Sequence, residues 1–299
     1  MDLTRPQGPL PLDAGDPCAP SGARPTRRAA GAALFAAGYA AFQRPVNAAA
    51  ITTDDHGLAI EEVQFDGAGA YRLPAYLARP AARGRFPAVI VVNEIFGVHA
   101  YIKDVCRRLA KAGYVAIAPD YFDRLGDPAT LTDFAQIRPI VAATGMAQVL
   151  ADTQGAADYL ARRRAVAPAR IGLTGFCWGG AVAWLAAARV RRVRAAVAWY
   201  GRLGPPSEGA GALSALQAAR ELKAPVLGLY AENDQGIPLG DVEAMRAALK
   251  AAGDRTGSRI LVYPGVQHGF HADYRPQYDA GAAKDGWARM LAWFRQHGV

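Results

Sequence analysis

Gly175-Phe176-Cys177-Trp178-Gly179-Gly180 lies between the apolar run Arg170 to Thr174 and the alanine-rich run Gly179 to Ala188. The first run has the length and composition of a buried strand and the second those of a buried helix, so the hexapeptide reads as a strand-to-helix turn. A turn this tight holds its central residue at strained backbone angles, and the neighbours two residues away must be small. Gly175 and Gly179 meet that need. Cys177 then projects above the end of the strand at the amino end of a helix, where the dipole favours a thiolate. A bare Gly-x-Cys-x-Gly also suits a buried structural cysteine, and it is the strand on one side and the helix on the other that favour a nucleophile.

Outward from this turn, strands and helices alternate. Leu58 to Phe65 and Tyr71 to Leu77 flank Asp66-Gly67-Ala68-Gly69 and read as a hairpin at a sheet edge. Phe86 to Asn93 is a continuous apolar run, as in a strand covered on both faces. A helix over Ala100 to Ala112 ends at Gly113, followed by strand Tyr114 to Ala118, helix Ala147 to Arg163, strand Ala195 to Trp199, strand Pro225 to Tyr230, helix Leu239 to Ala252, strand Ser258 to Tyr263 and helix Ala280 to Gln296. This alternation predicts an α/β fold with a mostly parallel sheet and helices on both faces, and with the turn at Cys177 it predicts the α/β-hydrolase fold. Ligands of such sheets bind beyond the carboxyl ends of the strands. Residues 120 to 145 show no clear period and are expected to form a substrate-covering loop, and Gly201 to Gly211 a second loop.

An elbow nucleophile needs an acid and then a histidine later in the chain. Asp234, in Tyr230-Ala231-Glu232-Asn233-Asp234, follows a strand, and so does His268, in Pro264-Gly265-Val266-Gln267-His268-Gly269-Phe270. Both are expected at the same sheet edge, where His268 can take the thiol proton and return it to a leaving group while Asp234 fixes its tautomer. Asp120 and Asp241 are rivals, but Asp120 precedes the nucleophile and Asp241 begins a helix. His99 and His271 are weaker candidates than His268, and His56 and His297 sit at the ends of the fold. Glu94 closes a buried strand in Val91-Val92-Asn93-Glu94-Ile95-Phe96-Gly97, a costly place for a carboxylate unless it is paired or faces a cleft. It is either a site residue or the partner of an arginine. The backbone N–H groups of Ile95 and Trp178 are the expected oxyanion donors.

These segments together resemble the dienelactone hydrolase (carboxymethylenebutenolidase) family over essentially all of Ile51 to Val299. The carriers are Asn93-Glu94-Ile95-Phe96-Gly97-Val98, the hexapeptide at Cys177, Asn233-Asp234-Gln235-Gly236-Ile237-Pro238 and His268-Gly269-Phe270. The resemblance implies that Cys177, Asp234 and His268 form a triad, that Glu94 takes the thiol proton when substrate arrives, and that the reaction opens an unsaturated γ-lactone. It also implies an arginine four places after the histidine to hold a substrate carboxylate, but Ala272 stands there, and Gly269 replaces the serine that follows the histidine. Arg138 and Arg275 are candidates to substitute for the missing arginine. No cofactor is called for. A general carboxylesterase or thioesterase on the same triad is the alternative, and a non-catalytic binding protein would be expected to have lost a member of it.

The chain has 299 residues, 52% of them hydrophobic, enough for a sizeable core. Its formal net charge of +8 comes mostly from dispersed arginines, and the dense groups Arg162-Arg163-Arg164 and Arg189 to Arg194 fall where helices are expected to end and complement their dipoles. No nucleic-acid-binding motif accompanies them, so a small molecule is the expected partner. The three cysteines, Cys18, Cys106 and Cys177, have no metal-binding or disulfide-framework spacing, and Cys106 falls on an apolar helical stripe. Residues 1 to 50 read as a separate segment: Arg27-Arg28 precedes the mildly apolar run Ala29 to Phe42, and Ala48-Ala49-Ala50 suits a signal peptidase. This order predicts a twin-arginine export signal, a periplasmic or secreted protein with no stable membrane span after cleavage, and a single mature domain over 51–299. The alternative is a cytoplasmic enzyme with an unstructured start.

Overall fold

The computed structural model describes residues 50–204, 214–253 and 255–299. The expected export signal, and Cys18 within the same segment, lie outside them. Eight strands form one sheet: β1 (Leu58–Asp66), β2 (Arg72–Pro80), β3 (Phe86–Val92), β4 (Val115–Pro119), β5 (Val166–Phe176), β6 (Val193–Trp199), β7 (Val226–Ala231) and β8 (Arg259–Tyr263). Their order is β1-β2-β4-β3-β5-β6-β7-β8. The hairpin β1–β2 is antiparallel at the edge as the sequence predicts, β2 also runs antiparallel to β4, and every pairing from β4 to β8 is parallel.

The seven helices described are α1 (Ala100–Lys111), α2 (Phe134–Ala143), α3 (Met146–Arg162), α4 (Trp178–Arg189), α5 (Ala215–Ala218), α6 (Leu239–Ala251) and α7 (Ala280–Gln296). The parallel strands β4 to β7 are central, with parallel β8 at the far edge. Ala88 to Val92 and Ala195 to Trp199 are buried throughout, which is why these strands read as continuous apolar runs rather than alternating ones. Cys106 on α1 is fully buried, and burial pushes its thiol well above the ordinary range, so it is a packed core residue. Among the described residues no helix is long and apolar enough to cross a membrane.

Two expectations change. Residues 120 to 145 are not one loop: a short 3-10 turn at Pro128–Thr130 and helix α2 occupy much of the stretch, with Asp133 capping α2 through Ala135 N at 2.8 Å. Pro139 inside α2 and only one fully buried residue, Ile137, explain why its sequence shows little helical period. The arginine groups also do more than complement dipoles. Arg162 and Arg189 do stand in last turns, but Arg163 reaches across to Glu61 of β1 at 2.7 Å and ties α3 to the hairpin.

Candidate active site

The sheet order places the site. From β3 the chain passes through α1 to β4 on one side, then crosses back to β5 on the other, so the carboxyl ends of β3 and β5 are neighbours at a switch point. Their register pairs Val92 with Gly175, which sets Glu94 level with Cys177, and the pairing of Phe176 with Trp199 does the same for Tyr200 just past β6.

Cys177 has φ 56° and ψ −113° and forms the N-cap of α4. A non-glycine residue at such angles is strained and persists only where its surroundings enforce it. Here the enforcement is glycine packing. A Cβ on Gly175 would collide with the carbonyl of Gly179, and one on Gly179 would stand 2.6 Å from the carbonyl oxygen of Asn93. The turn is therefore pressed directly against the end of β3, and the Cys177 N–H donates to Trp199 O at 3.0 Å. Trp178 is the first residue of α4, so its N–H has no acceptor within the helix. The Trp178 ring packs on Phe122 and Tyr121, with centroids 5.0 and 6.0 Å away.

Asp234 follows β7 as expected. Its Oδ1 accepts from Gly236 N at 2.8 Å and Ile237 N at 3.1 Å, which aims Oδ2 at His268 Nδ1, 2.6 Å away. Burial alone would lower the His268 pKa, but the Asp234 carboxylate first and Cys177 second, by charge and by hydrogen bonding, outweigh it and push the imidazole up to about 10. His268 is therefore bonded through Nδ1 to Asp234, and its charge is favoured by Cys177 nearby. Its ring also meets Tyr200 edge-on at 5.0 Å. The rival acids lie elsewhere. Asp120 caps its own turn at Phe122 N, pushed up to about 6 by burial and by Asp123 and Asp127, and Asp241 stands in the first turn of α6.

Glu94 is fully buried and paired. Arg275 Nη2 is 3.1 Å from its Oε1, the Tyr274 hydroxyl donates to its Oε2 at 2.7 Å, and His99 Nε2 is 3.5 Å from Oε2. Burial would raise this carboxyl, yet Arg275, His99 and Tyr274 together hold it down at about 2. Both readings of Glu94 thus meet in one place, since it is paired with an arginine and also level with Cys177. Arg275 is itself 4% exposed, with its guanidinium 4.9 Å over the ring of Phe96. Ala272 is buried and carries no charge, so the guanidinium in this cluster comes from three residues later, after the turns Gly269–Ala272 and Ala272–Arg275. Arg138 is exposed on α2.

Tyr101 and Tyr200 carry no sequence signal, and His271, a weaker candidate there, has a structural place. Tyr101 on α1 shares a 2.6 Å hydrogen bond with His271 Nδ1, and His271, pushed down to about 3 by burial and then by Arg108, is a neutral core residue among Phe176, Trp199 and Trp287. Tyr200, at φ 38°, is fully buried beside Glu94, Arg275 and Cys177. Among the described residues, no cluster of His, Cys, Asp or Glu is arranged to hold a metal ion.

The model of the dienelactone hydrolase family matches residues 73–298. The chain belongs to that family. It is 47% identical over 279 residues to the "Putative carboxymethylenebutenolidase" of Methylorubrum extorquens, covering 92% of this chain and 94% of the relative. A crystal structure of a dienelactone hydrolase homologue from Klebsiella pneumoniae subsp. pneumoniae superposes with a TM-score of 0.75 at 47% identity, covering 80% of this chain and 99% of that one. A "Probable 2-oxo-3-(5-oxofuran-2-ylidene)propanoate lactonase" from Bradyrhizobium sp. is 36% identical over 242 residues, 80% of this chain and 95% of its own length. This dienelactone hydrolase family member therefore has its relatives' α/β-hydrolase fold along almost their whole lengths.

Proposed function

We propose that this carboxylic ester hydrolase cleaves a small ester or lactone through an acyl-enzyme on Cys177. The observation that carries the reading is one row of residues: a cysteine at the strained elbow, a histidine whose charge that cysteine favours, and a carboxylate 2.6 Å from the histidine's Nδ1. His268 takes the thiol proton, and Sγ adds to the carbonyl carbon as the C=O pair moves onto oxygen. The oxyanion rests on the N–H groups of Ile95 and Trp178. As the C=O re-forms, the C–O bond to the leaving oxygen breaks and His268 returns the proton to it; in a lactone that oxygen stays tethered to the acyl group. Water, deprotonated by His268, then adds to the thioester and releases the acid and the thiol.

Glu94 enters through Arg275. A substrate carboxylate that draws the Arg275 guanidinium toward itself removes the main partner of Glu94 and frees that carboxylate to take the thiol proton in place of His268, whose imidazolium then supplies the proton to the leaving oxygen. This would let Arg275 do the work expected of an arginine at the position of Ala272. The lactonase name of the Bradyrhizobium relative supports a lactone over an unactivated ester, and the alternative remains a general carboxylesterase or thioesterase on the same residues.

A turnover screen of lactones, aryl esters and thioesters tests the proposal, with Cys177→Ala as the blank. The variant should lose turnover by at least about 10³-fold while its melting temperature stays close to wild type, since one small side chain is removed. Mass spectrometry of quenched wild type should find the acyl group on Cys177. Near-wild-type turnover by Cys177→Ala would overturn the assignment.

A further inference from the structure

Asn93 follows the last residue of β3 and is completely buried, although it is polar and takes no part in the proposed mechanism. Its Nδ2 donates to the carbonyl oxygen of the next residue, Glu94, at 2.6 Å, while no described group donates to its Oδ1. A buried acceptor without a partner costs stability, so this side chain is a poor choice for packing alone. What its Nδ2 holds is the peptide unit between Glu94 and Ile95.

In a trans peptide the C=O and N–H are coplanar and point in opposite directions, so a grip on the Glu94 oxygen aims the Ile95 N–H. That oxygen also accepts from Gly97 N at 3.4 Å, the long bond of a turn over Glu94 to Gly97, so Asn93 supplies the shorter of its two restraints. The Ile95 N–H itself donates to no described residue and is open to a ligand. Asn93 is fixed in turn by the elbow. A Cβ on Gly179 would stand 2.6 Å from the Asn93 carbonyl oxygen, so the Asn93 backbone lies directly on the first turn of α4, which begins at Trp178. We propose that Asn93 is a positioning residue whose carboxamide holds the Glu94–Ile95 peptide so that the Ile95 N–H points at the oxyanion, in one frame with the Trp178 N–H. This rests on the reading of Ile95 and Trp178 as the oxyanion donors. A donor fixed before the charge appears needs no reorganisation as the C=O pair moves onto oxygen, which is when it is worth most. The unpartnered Oδ1 is then the consequence of keeping an amide where a hydrocarbon would pack better.

Asn93→Ala and Asn93→Leu both remove the donor, the second with a side chain branched at the same carbon, so that one tests the other if either folds poorly. Each should lower kcat by about 10- to 100-fold, short of the roughly 10²–10³-fold that follows deletion of an oxyanion donor outright. KM should stay within about 2-fold of wild type, because the bond is made to the transition state and not to bound substrate. The melting temperature should move by no more than about 4 °C, since the Glu94 oxygen keeps Gly97 N and the unpartnered Oδ1 is gone. The deciding readout is a pair of inhibitors built on the best substrate of the turnover screen. A trifluoromethyl ketone takes Sγ on its carbonyl carbon and holds the charge on oxygen while His268 keeps the thiol proton, and its affinity should fall by the same factor as kcat/KM. The acid released from that substrate should bind as it does to wild type. A kcat within about 2-fold of wild type in both variants, a loss carried by KM alone, or equal losses of affinity for ketone and acid would each overturn the proposal. An acyl group found elsewhere than on Cys177 in quenched wild type would remove the thiol nucleophile and this proposal with it, whereas an acyl group on Cys177 together with unaltered variants would refute the role of Asn93 alone.

Discussion

Removing the Arg275 guanidinium should unbalance the most deeply buried charge in the site. Glu94 has no exposed surface, and its carboxyl is held at about 2 against an ordinary value of 4.5. That gap, at about 1.4 kcal/mol per pH unit, corresponds to about 3 kcal/mol of folding free energy at neutral pH. Arg275 is the largest of the three partners that produce it, ahead of His99 and Tyr274. Arg275→Met keeps much of the side-chain volume but leaves a desolvated carboxylate, and the expected loss is about 3–5 kcal/mol. Because the Glu94 pKa is depressed, its contribution is present above about pH 4.5 and is lost as pH falls toward 2. The deficit of the variant should therefore be largest near neutrality and shrink in acid. Urea unfolding at several pH values measures this. The double variant Glu94→Gln/Arg275→Met, with neither charge, should recover a large part of the loss. If Arg275→Met unfolds within about 0.5 kcal/mol of wild type at neutral pH, an ordinary surface value, or if the second substitution restores nothing, the coupling of these two residues is refuted.

Asp234→Asn should bring the His268 pKa down from about 10 toward its ordinary 6.5 and lower kcat by about 10³–10⁴, read by ring-proton titration and a pH–rate profile. Since the His268 value is raised in the fold, its stabilisation is complete below about 6.5 and lost as pH rises through about 10, so the melting-temperature advantage of wild type over this variant should narrow above neutrality. Gly179→Ala drives a methyl group against the Asn93 carbonyl, 2.6 Å away, and should cost about 1–3 kcal/mol of stability by overpacking as well as lowering kcat, because the displaced backbone is the one expected to hold the oxyanion. Export is a proposal of its own: in fractionated cells, Arg27→Lys/Arg28→Lys should keep the protein in the cytoplasm while wild type reaches the periplasm, and equal distribution of the two would refute it.

Sequence patterns revealed what is local and hid what is assembled. The turn at Cys177, the parallel strands and the positions of Asp234 and His268 past their strands could be read because each depends on a few neighbouring residues: small ones at the elbow, an apolar run, a break after it. The cage around Glu94 could not. Tyr274 reaches it from 180 positions away in the chain and Arg275 from the next position on, and no periodicity records that meeting. In the sequence Arg275 is a candidate only as a substitute for the arginine missing at Ala272, whereas its partner in the fold is Glu94. Arg138, chosen on equal grounds, lies exposed on a helix whose internal proline hid it. Tyr200 follows an apolar strand and reads as core, and only the strand register shows that it stands level with the thiol.

The position of Trp178 has a practical consequence. Its backbone adjoins the thiol, while its indole leans on Tyr121 and Phe122, part of the segment that runs on toward α2. The protein thus has a built-in fluorophore one peptide bond from the residue proposed to carry the acyl group. Acylation, or any shift of the 120s segment over the sheet edge, should change its emission within a single turnover. With Trp178→Phe as the reference to subtract the four remaining tryptophans, stopped-flow fluorescence could time the covalent step without a chromogenic substrate.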